Sequence, residues 1–236
     1  DPDALHTARN LARTAIAGAL EGKLAATYER LTDTGRYTTD GAAVGRRSLR
    51  NACLAYLSPG GDPKRAKAQF DAGQNMTDVL AALAALSAID CPERSDALAQ
   101  FHAQWRGEAL VLDKWFAIQA MSPLPDTMAH VRRLTEHPDF DMRNPNRVRA
   151  VVASFAVNQV RFHAADGSGY RFLADIVCAL DPANPQIAAR MVQPLGQWRR
   201  FDAGRQAKMK AELSRVVAQQ GLSKNTFEMA SKSLNG

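Results

Sequence analysis

Apolar residues recur every three or four positions along almost the whole chain. Over the first 31 residues they include Leu5, Leu11, Ile16, Leu24 and Leu31, a spacing that places them on one face of a long opening helix. The strict alternation of apolar and polar residues that is typical of half-buried strands is essentially absent. The pattern therefore predicts an all-α protein.

Three of the predicted helix starts pair a capping side chain with a proline: Asp62-Pro63, Asn144-Pro145 and Asn184-Pro185. The cap oxygen accepts from an N–H group that lacks a partner inside the helix, and proline in the first turn has no N–H to satisfy. With these signals the periodicity predicts about twelve helices, at 3–31, 40–57, 63–72, 77–89, 92–106, 108–121, 125–137, 145–157, 168–180, 185–198, 202–220 and 223–234.

The connections between these helices are short, so sequential helices are expected to be antiparallel neighbours. Each pair of helices would bury its apolar face against the next pair, which is the packing of an α-solenoid. We therefore expect a superhelical array of the HEAT/armadillo kind. Because no Gly/Ser/Pro-rich linker divides the chain, residues 1–236 are predicted to form a single helical domain.

Composition and charge exclude several classes of protein. Hydrophobic residues make up 46% and charged residues 23% of the chain, as in ordinary globular proteins. The longest apolar-rich stretch, 79–89, is far shorter than the ~20 residues of a membrane-spanning helix. The net charge of +6 raises the question of nucleic acid, but acidic residues interleave with basic ones even in the densest basic run, 199–215. We expect neither a membrane nor a nucleic acid as partner.

The cysteines and the N-terminal residues give expectations about the cellular compartment and about a longer polypeptide. Cys53, Cys91 and Cys178 lie far apart and are odd in number, as expected of small buried side chains in a reducing compartment. No secretory signal is visible, so the predicted location is the cytoplasm. The chain begins with Asp1-Pro2-Asp3 and no methionine, and we expect it to be part of a longer polypeptide.

Motifs for self-contained catalysis are missing from the chain. No two of its five histidines are four residues apart, so H-E-x-x-H is absent, and Cys–His metal spacings are absent too. We expect no catalytic and no metal-binding residue here. The run from Asp166 to Tyr170 predicts a turn into a helix with Ser168 as a possible cap, and His163 is a candidate hydrogen-bond partner of Asp166.

Arginines beside apolar stripes are the candidate binding groups. Arg149 flanks a predicted core face made by residues 148, 151, 152 and 155. Arg190 flanks another stripe, at 187, 191 and 195, and Gln186 lies four residues before it on the same side of the helix. A guanidinium held by a helix can bind a peptide carboxylate or carbonyl through paired N–H groups, whereas many such arginines only cover apolar surface.

A second set of arginines lies on one face of the predicted helix 40–57. Arg46, Arg47 and Arg50 form a basic helix face, predicted to be solvated or to pair with another domain. Trp115 and Phe116 are expected in the core.

Several segments together resemble a known family, in order along the chain. They are 48–54 (SLRNACL), 75–78 (NMTD), 111–123 (VLDKWFAIQAMSP), 144–149 (NPNRVR) and 162–170 (FHAADGSGY). They resemble the C-terminal helical domain of bacterial aminopeptidase N, a zinc metalloaminopeptidase of the gluzincin type.

The resemblance implies a role for this chain inside a larger enzyme. The whole enzyme removes N-terminal residues from peptides, is expected to be monomeric, and holds zinc in a separate thermolysin-like catalytic domain. This chain would be the last domain, covering that catalytic domain as its partner and contacting the distal part of the peptide substrate. By resemblance, Arg149, Gln186 and Arg190 line its channel. Since the chain lacks H-E-x-x-H, we expect it to be inactive by itself.

One alternative stays open from the residues alone. A free-standing helical-repeat module that binds a protein or an acidic partner through its concave face has the same helical pattern. An upstream reading frame carrying H-E-x-x-H separates the two hypotheses.

Overall fold

The computed structural model describes residues 1–32 and 35–235, and within these ranges it contains helices and turns but no strand. The α-helices are α1 Pro2–Arg30, α2 Gly41–Leu57, α3 Lys64–Ala72, α4 Met76–Leu86, α5 Pro92–Trp105, α6 Ala109–Ala120, α7 Thr127–Thr135, α8 Pro145–Val148, α9 Ser154–Ala156, α10 Gln159–Phe162, α11 Ser168–Leu180, α12 Pro185–Met191, α13 Gln193–Gly196, α14 Ala203–Val217 and α15 Lys224–Asn235. Two 3₁₀ turns, Ser58–Gly60 and Trp198–Arg200, and a π-helical segment, Arg149–Ala153, complete the set. The prediction of an all-α protein is confirmed.

One predicted helix is divided in the structure, and one observed helix was not predicted. The predicted helix 185–198 is divided into α12, α13 and the Trp198–Arg200 turn. Pro194 lies at this break, and it has no N–H with which to continue the helical hydrogen bonds. The short helix α10, which Asn158 caps by accepting from the N–H of Arg161, was not predicted.

The cap-and-proline signals are confirmed at two of their three positions. Asn144 accepts from the N–H groups of Asn146 and Arg147, and Asn184 accepts from that of Ile187. At the third position the helix begins later than predicted, at Lys64, whose N–H donates to Asp62 Oδ1 over 3.0 Å. Pro63 therefore precedes the helix rather than occupying its first turn.

The described chain divides into two compact units. The first unit spans His6–Ile118, and the second comprises Asp1–Leu5 and the chain from Gln119 onward. In the first unit α4 packs against α2, α3 and α5. Its core includes fully buried large side chains from four helices, namely Leu54, Leu83, Leu86, Phe101 and Phe116.

The first unit also buries an ion pair, which corrects the prediction for the basic face of α2. Arg50 Nη1 lies 3.2 Å from Asp78 Oδ2, and both side chains are more than nine-tenths buried. Arg47 is buried as well, with Nη2 donating to Thr38 O and the guanidinium over the Tyr37 ring. Of the three arginines, only Arg46 is exposed as predicted.

Amide side chains complete the surroundings of Asp78. Asn51 Nδ2 donates to Asp78 Oδ1 over 2.8 Å, and Asn75 Nδ2 donates to Oδ2 over 3.0 Å. Arg50 Nη2 donates to the Tyr28 hydroxyl, which in turn donates to Gln69. The carboxylate thus receives three donors, two from α2 and one from the N-cap of α4, which compensates for its removal from water.

In the second unit α11 is the central helix, packed against α12 and α14, while α15 packs against α12 and α14. The predicted core face of the helix at 145–156 is confirmed, since Val148, Val151, Val152 and Phe155 are fully buried. The Phe155 ring meets those of Phe162 and Phe172 edge to face.

Helix α1 buries little of its predicted apolar stripe. Tyr28 and Leu31 are buried, but Leu5 and Leu11 are 68% and 67% exposed, and Ile16 and Leu20 are exposed as well. One face of this long helix is therefore apolar and in contact with solvent.

The three cysteines contribute no covalent cross-link to the fold. Cys53 is buried, Cys91 and Cys178 are half-buried, and none of the three forms a disulfide. Burial raises the pKa of each thiol. No described helix has both the length and the apolar character that crossing a bilayer requires.

Candidate functional site

A shallow groove of about 330 Å³ lies in the second unit, between the end of the helix at 145–156 and the α12–α13 segment. Its floor and walls are apolar and consist of Ala153, Ala156, Val157, Met191 and Pro194. Val157 is 63% exposed although its side chain is entirely apolar. The groove is at the small end of the volumes that bind ligands, so it fits one or two side chains rather than a large cofactor.

The polar side of the groove comes from one helical face. Arg190, Gln193 and Gln197 line it, and all three are exposed. Among the described lining residues only Arg190 carries a formal charge, and it forms no ion pair within the described part of the chain. The site thus offers one guanidinium and two amides beside an apolar surface, and such groups can donate hydrogen bonds to carbonyl or carboxylate oxygens.

The structure separates the three predicted binding residues. Arg190 lines the groove, whereas Arg149 and Gln186 are exposed outside its lining. Arg149 Nη1 donates to Asn146 Oδ1 over 2.9 Å, one turn earlier in the chain. Gln186 lies on α12 one turn before Arg190, as the spacing indicated.

Two groove residues were missed by the sequence analysis. Gln193 and Gln197 follow Arg190 at intervals of three and seven positions, which is the spacing of one helical face. That spacing was visible in the sequence. Neutral amides on a helix surface are common, however, and carry no signal of their own.

A π-helical turn shapes the wall that carries Ala153. Within Arg149–Ala153 the helix widens, and the N–H of Ser154 donates to the carbonyl of Arg149, five residues earlier. A π turn inside an α-helix holds an additional residue, so the side chains after it point in other directions than the same sequence would give in a regular α-helix. The directions in which the side chains of Ala156 and Val157 project toward the groove therefore depend on this π turn.

A second polar cluster of this unit, around His163, is structural. His163 is buried, stacks on the Phe201 ring at 4.0 Å, and shares a 2.9 Å hydrogen bond between Nδ1 and the Tyr170 hydroxyl. The predicted partner, Asp166, instead accepts from the N–H of Ser168 through Oδ1. The predicted turn into a helix at 168 is observed, but Gly167, at φ +76°, takes the cap position proposed for Ser168. The expected His163–Asp166 pair is wrong, since the Tyr170 hydroxyl bonds the imidazole and the Ser168 N–H donates to the carboxylate.

Arg205 donates hydrogen bonds to this cluster around His163 and to aspartate side chains. Its Nε donates to the His163 carbonyl over 2.7 Å, and Nη1 donates to Asp202 Oδ2 over 2.6 Å. Nη2 donates to Asp3, in the first residues of the chain. Hydrogen bonds from Arg205 lower the pKa of the Asp202 carboxyl to about 2.

The buried His163 is expected to make the free energy of unfolding depend on pH. Burial, reinforced by the positive charge of Arg205, lowers the pKa of His163 to about 4, against 6.5 for an ordinary histidine. Between these values the unfolded chain binds a proton that the folded chain does not, so acidification favours unfolding. We expect the unfolding free energy to fall by about 2 kcal/mol from this group as pH drops from 6.5 to 4.

Urea denaturation at several pH values in this window, on the unaltered chain and on His163→Gln, measures this contribution. The variant is expected to lose less stability on acidification than the unaltered chain. Parallel losses in the two proteins would show that His163 does not cause the effect.

A family described as "Domain of unknown function (DUF3458_C) ARM repeats" matches residues 1–235. The chain belongs to this family. The expected HEAT/armadillo-like, helical-repeat architecture is therefore confirmed.

The relatives of the chain are aminopeptidases, as the resemblance indicated. It is 47% identical to aminopeptidase N of Caulobacter vibrioides over 240 residues, which are 99% of this chain and 28% of that protein. Aminopeptidase N of Escherichia coli is 38% identical over 99% of this chain and 27% of its own length. The crystal structure of Legionella pneumophila aminopeptidase A in complex with aspartic acid superposes with a TM-score of 0.92 at 31% identity, covering all of this chain and 29% of that one.

Proposed function

We propose that residues 1–236 form the C-terminal helical domain of a larger zinc aminopeptidase of the cytoplasm, which removes N-terminal residues from peptides. In this proposal the domain performs no chemistry. It covers the cavity of the catalytic domain of the same polypeptide and contacts the part of the peptide distal to the cleaved bond.

One observation carries the proposal for the peptide contact. Arg190 borders an apolar groove and forms no ion pair within the described residues, so its guanidinium can donate hydrogen bonds to a peptide carbonyl or carboxylate. Arg149 and Gln186, outside the groove lining, would meet the peptide farther along the same surface. The aminopeptidase relatives, of which the chain spans just over a quarter, support the wider assignment.

Zinc and the catalytic groups would be supplied by other parts of the polypeptide. These 236 residues do not contain the H-E-x-x-H pattern that holds zinc in such enzymes, so no reaction step is assigned to them. The exposed apolar face of α1 supports a contact with another part of a longer chain, since a stable monomer rarely leaves such a face in water.

The proposal predicts an effect on peptides that is absent for small substrates. In the full-length aminopeptidase, Arg190→Ala is expected to raise KM for peptides of five or more residues by roughly 5- to 150-fold, the equivalent of about 1–3 kcal/mol for a lost charged hydrogen bond. An amino-acid anilide does not reach the groove, so its KM is expected to stay unchanged. Arg149→Ala is expected to act in the same direction.

Arg143→Ala is the matched control, because Arg143 is an exposed arginine of the same unit that pairs with Asp141 outside the groove. It is expected to change neither KM. Equal effects of Arg190→Ala on peptides and on the anilide would contradict a peptide-binding role for the groove.

A further inference from the structure

The groove next to Arg190 has more apolar surface than binding a peptide backbone requires. Five of its described lining residues are apolar, and three of them, Ala153, Ala156 and Val157, come from one end of the helix at 145–156. A backbone contact alone needs the polar side of the groove and leaves the apolar floor in water. The floor is therefore free to contact a second, apolar part of a ligand.

We propose that this groove binds an apolar side chain of the peptide and so makes the enzyme prefer peptides with apolar residues beyond the cleaved bond. The inference rests on the proposed function and adds the class of peptide that the site selects. Its occupant is an extended peptide segment, with an apolar side chain on the floor and a neighbouring carbonyl or carboxylate on Arg190.

Three features of the groove support this occupant. The volume of about 330 Å³ suits one large aliphatic or aromatic side chain, or two small ones. Met191 contributes a flexible thioether, which can adapt to side chains of different shape. Arg190 is the one formal charge among the described lining residues, so the site attracts the carbonyl oxygens or carboxylate of a peptide and disfavours a basic side chain.

Small residues set the size of the groove. Ala153 is half-buried in the π-helical turn, and a larger side chain at this position would occupy the space above the floor. Val157 is mostly exposed at the end of the same helix, so a bulky replacement there covers the groove without entering the core. Ala153 and Val157 are therefore the residues that determine specificity in this proposal.

Binding of two uncleavable peptides to the full-length protein tests the inference. Both are N-acetylated hexapeptides with the same first two residues, and they carry leucine in one case and serine in the other at the remaining positions. Isothermal titration calorimetry is expected to show roughly tenfold tighter binding of the leucine peptide by the unaltered protein. Ala153→Leu and Val157→Trp are each expected to bring this ratio close to one.

Two further variants separate the apolar contact from the charge and from general effects. Ala207→Leu enlarges an exposed alanine of α14 outside the groove and is expected to keep the tenfold ratio. Arg190→Ala is expected to weaken both peptides and leave the ratio unchanged. Thermal unfolding of each variant identifies any that has lost its fold, and Val157→Trp then carries the test because its position is exposed.

Equal binding of the two peptides by the unaltered protein, or an unchanged ratio in both groove variants, would overturn the inference. Because the peptides are blocked at the N-terminus, neither of these results depends on hydrolysis. Failure of the proposed function has a different signature, which is the absence of anilide hydrolysis by the full-length protein.

Discussion

Replacing Asp78 by alanine is expected to destabilise the first unit by about 3–5 kcal/mol. The change leaves the guanidinium of Arg50 buried without a counter-charge, and it removes the acceptor of the Asn51 and Asn75 side chains. Breaking a buried pair from one side is costly because the remaining charge cannot return to water. Chemical denaturation of the unaltered and the Asp78→Ala chains, followed by circular dichroism, measures the difference.

Asp71→Ala provides a matched control for this experiment. Asp71 also pairs with a basic side chain, Lys67, at 2.6 Å, but the pair is on the surface and four residues apart on α3. Its loss is expected to cost less than about 0.5 kcal/mol. Similar losses for the two variants would show that burial does not set the importance of the Arg50–Asp78 pair.

The second large effect is expected at Gly169, in the first turn of α11. A Cβ atom added there would lie 2.3 Å from the carbonyl oxygen of Phe162 and 2.9 Å from its carbonyl carbon. Because these are backbone atoms, no side-chain rotation relieves the clash, and α11 must move away from α10. Gly169→Ala is expected to lower the unfolding free energy by about 3 kcal/mol or more.

Gly18→Ala is the corresponding control in a helix. A Cβ at Gly18 of α1 meets nothing within 4 Å, so the change removes only the conformational freedom of glycine. It is expected to stabilise the chain by about 0.5–1 kcal/mol. If Gly169→Ala affects the unfolding transition no more than Gly18→Ala does, a Cβ at position 169 does not clash with the Phe162 backbone.

The regular part of the fold could be predicted from the sequence because its causes are local. Apolar spacing and caps such as Asn144 and Asn184 depend on residues within one or two helical turns. The burial of Arg47 and Arg50 could not be predicted in this way, since their partners Thr38, Tyr28 and Asp78 come from other segments. The requirement for glycine at 169 likewise arises from a backbone seven residues away.

The candidate site was predicted in part for the same reason. The charge and helical position of Arg190 were visible in the sequence, and the structure places it beside a groove. The opposite wall, at Ala153 and Val157, comes from a helix more than thirty residues earlier. Small apolar residues at that distance give no local indication that they border a cavity.

The π-helical turn at Arg149–Ala153 also affects how this chain is aligned with its relatives. Such a turn holds one more residue than the α-helical turn it replaces, so it corresponds to a one-residue insertion in an otherwise regular helix. A relative with a single-residue gap here would keep its core at the end of the helix. Because the π turn absorbs the additional residue within one turn, the residues on either side keep the directions that they have in such a relative, which would present its counterpart of Arg149 on the same face. An alignment that omits the gap would instead pair Arg149 with a residue one position away, which faces about 100° around the helix axis.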